Sequence, residues 1–181
     1  SPLCHQWAFR SWFLFGEQWY YPRALAGIDG ELTFNQATGL SENDVLGARH
    51  FLGDDRVGYK VALCERDIAI YAGILVFGII FSLTGRRIKA IPWYVGLCVG
   101  IVPIGLDGVS QLPSLLPFLP TWLPIRESTP FLRTLTGLLF GVSTAWYGYP
   151  LVDESVQDTR RVLLQKKAIN RQLMDGQDGN A

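Results

Sequence analysis

Charge is scarce in this chain of 181 residues. Asp, Glu, Lys and Arg supply only 18% of it, below the roughly 25% of ordinary soluble domains. Sixteen basic and sixteen acidic residues cancel to a net charge of zero, so no electrostatic footprint for nucleic acid is present. Cysteine is sparse too. Cys4, Cys64 and Cys98 are too few for a disulfide scaffold, and Cys98, inside an apolar run, reads as a small buried residue. No Gly-rich phosphate loop, haem-attachment motif or nucleophile elbow around Ser11, Ser110 or Ser128 is legible. The chain begins with Ser, and no signal-peptide pattern stands at its start.

Apolar residues are plentiful and grouped in blocks. The chain is 49% hydrophobic and 13% aromatic, with six Trp and a mean hydropathy of +0.18. Three uncharged runs, Ile68–Thr84, Ala90–Leu106 and Thr134–Val152, approach the length of about 20 residues needed to cross a bilayer. Their flanks set an orientation. The Gly-Arg-Arg-Ile-Lys link after the first run, and the tail with Arg160, Arg161, Lys166, Lys167 and Arg171, belong on the cytoplasmic side. Residues 1–67 and the loop 107–133 then lie outside. The expected fold class is all-α: a polytopic integral membrane protein with three transmembrane helices and an extracytoplasmic N-terminal cap. The expected regions are 1–67 (cap), 68–152 (membrane domain) and 153–181 (cytoplasmic tail helix), in the cell membrane.

Local signals refine this outline. Trp7 to Tyr21 holds eight aromatic residues, which suits an interfacial helix or the outer end of a preceding one. Gly27–Gly39 reads as a loop. Ser41 is a candidate N-cap for a helix ending before Gly53, and a helix from about Asp55 can run into the first membrane segment. Gln111–Pro124, with prolines at 113, 117, 120 and 124, reads as extended structure on the membrane surface. Thr129-Pro130 pairs an N-cap with a Pro at the first helical position. Val156–Met174 reads as a weakly amphipathic helix. Gly96 with Gly100, and Gly137 with Gly141, have the small-xxx-small spacing of packed helices.

Two polar clusters stand out: Cys4-His5-Gln6, and Cys64-Glu65-Arg66-Asp67 at the start of the first apolar run. Helical spacing puts Lys60, Cys64, Asp67 and Tyr71 on one face. Asp107 with Gln111, Arg126-Glu127, and Arg133 fall on the same side of the membrane. Cys4, His5, Cys64, Asp67 and Glu127 form a candidate ligand set for a transition metal such as Zn, since mixed sulfur, nitrogen and oxygen donors suit such ions. A Cys4–Cys64 disulfide, or two unreacted thiols, are the alternatives. Arg10, Arg66, Arg126 and Arg133 against Asp67, Asp107 and Glu127 also make plausible ion pairs fixing helix ends.

The segments Cys4-His5-Gln6, Arg10-Ser11, Phe15-Gly16, Cys64-Glu65-Arg66-Asp67 and Ile70-Tyr71-Ala72-Gly73 resemble an uncharacterised prokaryotic membrane-protein family, domain of unknown function 2085. Asp107-Gly108, Arg126–Thr129 and Arg133 with Thr136-Gly137 resemble its later motifs. Many members carry a second Cys where this chain has Asp67, which leaves a thiol-plus-carboxylate pair in place of a thiol pair. The resemblance implies a membrane fold and brings no activity with it. Two functions are therefore expected. One is an accessory or structural subunit of a larger membrane complex, with the bilayer and other membrane subunits as partners. The other is a small metal- or thiol-dependent enzyme at the outer face.

Overall fold

A computed structural model describes residues 6–111 and 127–178, with side chains as far as residue 169. The N-terminal part is built on a three-stranded antiparallel sheet in the order β1-β3-β2, with β1 at Ser11–Leu14, β2 at Gly53–Asp54 and β3 at Gly58–Cys64. Ser11 pairs with Cys64 and Phe13 with Lys60, with a bulge between them. The β2–β3 turn is closed by the Asp54 carboxylate, which accepts from Arg56 N at 2.9 Å and Val57 N at 2.7 Å. Gly58 takes φ +83° there, beside the backbone of Leu14 and Gly16.

This sheet corrects two expectations. The cap is not all-helical, and no helix runs from Asp55 into the membrane segment. The aromatic stretch is not an interfacial helix either. Phe9, Phe13 and Tyr21 are buried with Phe34, Ala48 and Val57, while Phe15 is 91% exposed. Phe13 meets Tyr21 edge-on at 5.1 Å, and Phe34 meets Phe51 edge-on at 5.9 Å. Such pairs add about 0.5–1.5 kcal/mol each beyond their buried area.

Two short helices cover this core. α1, Phe34–Thr38, lies inside the expected loop and is held by a Thr33/Gln36 capping box. α2, Val45–His50, is capped by Asp44 rather than Ser41, through Asp44 Oδ1 accepting from Gly47 N at 2.8 Å.

α3, Glu65–Leu83, follows β3 directly. Its first turn carries Glu65 and Asp67, which favour the positive end of the helix dipole. Nineteen residues rise about 28 Å, close to a bilayer core. Ala69, Gly73, Phe77 and Phe81 are buried at a four-residue period, while Leu75, Ile79 and Leu83 point outward. α4, Trp93–Val109, contains a π-helical turn at Leu97–Ile101. α5, Pro130–Asp178, is one continuous helix of 49 residues with Pro150 inside it. It merges what the sequence suggests as a membrane helix and a separate tail helix.

α3 packs along α5. A Cβ at Gly73 would lie 2.9 Å from the Leu138 carbonyl oxygen, and one at Gly137 would lie 2.7 Å from that of Arg66. Only glycine permits this approach. Further along, the Phe77 ring stacks on Trp146 at 5.9 Å and Phe81 on Tyr149 at 6.2 Å.

The expectation of three spans is overturned as well. Among the described residues, α3 is the one helix both long and apolar enough to cross a membrane. α4 falls short in length. The uncharged run Thr134–Val152 is not uniformly apolar, since it holds Thr, Ser, Gly, Tyr and Pro. Absence of charge is a weaker criterion than hydropathy. Most of the Pro-rich segment, 112–126, lies outside the described residues.

Candidate functional site

The junction between the cap and the helices is a buried cluster of charged side chains. Glu127, whose side chain is 1% exposed, lies three residues before the start of α5 and accepts from three arginines. Arg10 Nε lies 3.2 Å from its Oε1, Arg133 Nη2 2.8 Å from the same oxygen, and Arg23 Nη1 3.1 Å from Oε2. Each arginine comes from a different part of the fold. Arg10 ends a single 3₁₀ turn, Ala8–Arg10, before β1; Arg23 sits in the loop after it; Arg133 is in the first turn of α5.

Arg133 also reaches Glu65 of α3 at 3.5 Å and the Phe9 carbonyl at 3.4 Å. Arg23 donates to Asn43 Oδ1 at 3.3 Å, just before α2. Aromatic faces complete the cage: the Arg10 guanidinium lies 5.0 Å from the Trp7 ring centre, and that of Arg23 lies 5.3 Å from Phe9. Beside this cluster, Arg66 of α3 pairs with Asp107 near the end of α4. Gln111 Nε2 donates to the Asp107 backbone carbonyl at 2.7 Å.

The electrostatics are tight. Taking an ion from water into a protein interior costs several kcal/mol even after relaxation, and only close partners offset it. Here three guanidiniums face two carboxylates, leaving one positive charge in excess. Burial, and after it the charge of Arg133, pulls Arg10 down to about 10, so it remains charged at neutral pH. Chemically, the cluster is suited to holding elements together. Each Glu127 oxygen already accepts from a guanidinium, and Glu65 is engaged by Arg133.

The sequence-derived ligand set is placed unevenly. Cys4 and His5 lie outside the described residues, as does Arg126. Cys64 is the N-cap residue of α3 and Asp67 lies in its first turn. Glu127 is in the arginine cluster instead. Among the described residues, no group of three or more His, Cys, Asp or Glu side chains is arranged to hold a metal. Lys60 Nζ donates to the Gln6 carbonyl at 3.1 Å, which brings the residue after His5 alongside β3. Cys98 is exposed on α4, not buried.

The pairs Arg10–Glu127, Arg133–Glu127 and Arg66–Asp107 are formed from residues the sequence had singled out. Arg23 and Asn43 were missed, because nothing local marks them. Glu65 was passed over for its neighbour Asp67, although a residue opening a helix that packs on another helix was an equal candidate.

A family model described as "Predicted membrane protein (DUF2085)" matches residues 56–147. An uncharacterized protein of Methanocaldococcus jannaschii is 32% identical over 102 residues, 55% of this chain. The match spans 58% of that relative's length. No solved structure matches the chain.

Proposed function

The chain belongs to this family of predicted membrane proteins of unknown function, and on that premise we propose that it is an accessory, structural subunit of a larger membrane assembly. The observation that carries the reading is Glu127 held at once by Arg10, Arg23 and Arg133. This buried charged cluster joins the cap to α3 and α5. A second observation agrees with it. Leu75, Ile79 and Leu83 form an exposed stripe on α3, which needs lipid or a partner helix to cover it.

In this reading, residues 1–67 form a cap on the outer face of the cytoplasmic membrane. The basic link Arg86-Arg87-Ile88-Lys89, at the other end of α3, lies on the inner face, following the positive-inside rule. Native electrophoresis of membranes dissolved in mild detergent tests the proposal. Migration in a larger complex is the expected result, and a chain running alone contradicts it.

A second reading is a thiol or metal site at the outer face, drawing on Cys4, His5, Cys64 and Asp67, without Glu127, whose two oxygens are taken by arginines. It is favoured by the contact between Lys60 and Gln6, which sets Gln6 beside the strand that ends at Cys64. Metal analysis of the purified protein before and after Cys64→Ser decides it. A metal content that falls with the substitution supports this reading, and an unchanged or zero content rejects it.

A further inference from the structure

At the end of α3 opposite the cap, two cavities share a wall. One, of about 490 Å³, is polar and is lined by Arg86, Arg87 and Lys89 of the α3–α4 link, together with Asp153 and Glu154 of α5. The other, of about 380 Å³, is mainly apolar and runs between α3 and α5, past Gly78, Phe81, Tyr149 and Val152. Arg86 and Asp153 line both. They form an ion pair at 3.2 Å between the two spaces.

The polar cavity carries a net positive charge, since three basic side chains face two carboxylates. Arg86 is committed to Asp153, whereas Arg87 and Lys89 are exposed and in no ion pair among the described residues. The position in the membrane follows from the span itself. α3 stops at Leu83, and exposed Trp93 and Tyr94 open α4 after the link, the residue types that settle at headgroup depth. The link is braced there by Trp146 Nε1 donating to the Lys89 carbonyl at 3.1 Å.

We infer that this paired notch and groove bind one anionic phospholipid, with the headgroup phosphate at Arg87 and Lys89 and an acyl chain along Gly78, Phe81 and Tyr149. A soluble phosphate compound would use the notch and leave the groove empty. A zwitterionic lipid would fill the groove and gain little from the net charge. An anionic lipid uses both. The inference rests on α3 lying in a bilayer and does not depend on the subunit reading.

The test is lipid add-back to the delipidated full chain in detergent, followed by native mass spectrometry. Phosphatidylglycerol is compared with phosphatidylcholine. Wild type should retain one phosphatidylglycerol in preference to phosphatidylcholine. Arg87→Ser with Lys89→Ser should weaken phosphatidylglycerol binding about 30-fold, since each basic residue near an anionic lipid surface contributes roughly fivefold. Both side chains are exposed, so this variant should fold. Gly78→Leu fills the groove, because a Cβ there already comes within 3.1 Å of the Tyr149 ring. It should reduce retention of both lipids. Equal binding of the two lipids by wild type overturns the inference, as does unchanged phosphatidylglycerol binding in the double variant. Displacement of the lipid by excess inorganic phosphate would assign the notch to a soluble anion and likewise overturn it.

Discussion

Glu127→Gln is the sharpest perturbation of the cap junction. The substitution keeps the shape of the side chain and one acceptor oxygen, but it removes the charge that three guanidiniums share. Arg10, Arg23 and Arg133 would then face one another with Glu65 as the only remaining carboxylate of the cluster, itself 3.5 Å from Arg133. Removing one partner of a buried ion pair costs about 3–5 kcal/mol, largely because the other charge stays buried without compensation. Arg10, 18% exposed along its side chain, can swing partly into water and recover some of this, whereas Arg23 and Arg133 are nearly enclosed. The net expectation is therefore about 3–4 kcal/mol, a large share of the 5–15 kcal/mol that holds a typical domain together. The loss should be local. Hydrogen exchange of the β1 and β3 amides in detergent should speed up by roughly 100- to 1,000-fold, while amides in the middle of α3 change little. Exchange in β1 and β3 within about threefold of wild type would refute the claim that Glu127 fastens the cap.

Other substitutions probe the same architecture. Arg23→Met should cost about 3 kcal/mol and Arg10→Met about 1 kcal/mol, in thermal unfolding of the purified chain. The order follows from burial and from the Arg10 pKa of about 10. Because that value lies below the unfolded one, its charge opposes folding at every pH below about 10, and this penalty fades only as pH climbs further. Equal costs for the two variants would contradict the assignment. Gly137→Leu should destabilise the α3–α5 contact by about 3 kcal/mol or more, since its Cβ would lie 2.7 Å from a backbone oxygen. Gly148→Leu, where a Cβ meets nothing within 4 Å, serves as the matched control and should be near neutral.

The helices that carry the site were legible to different degrees. α3 was visible because its apolar run is long, uncharged and bounded by Asp67 and Gly85. Thr129-Pro130 gave the start of α5 correctly, since both residues act on the first turn alone. The sheet was hidden for a physical reason. Lys60 and Cys64 share a face whether the period is 2 or 3.6, so their spacing cannot distinguish strand from helix. What makes β3 a strand is its pairing with Ser11 and Phe13, about fifty residues away. The aromatic stretch misled in the same way, because Phe9 and Phe13 are paired with Phe34 and Tyr21 in a core that no local window displays. Within the charged cluster, residue types pointed to Glu127 and Arg133, but Arg23 enters by a contact across 104 positions. Reading uncharged runs as spans failed where Tyr, Thr and Pro dilute the second half of the membrane-like stretch in α5.

The subunit reading is tested most directly on the exposed stripe of α3. A photoreactive amino acid placed at Leu75, Ile79 or Leu83, which are 63%, 50% and 82% exposed, reports what covers that face in intact cells. The account predicts crosslinks to a different polypeptide at two or more of these positions, with a control on the buried face, at Phe77, giving none. Adducts to lipid alone at all three positions would contradict it.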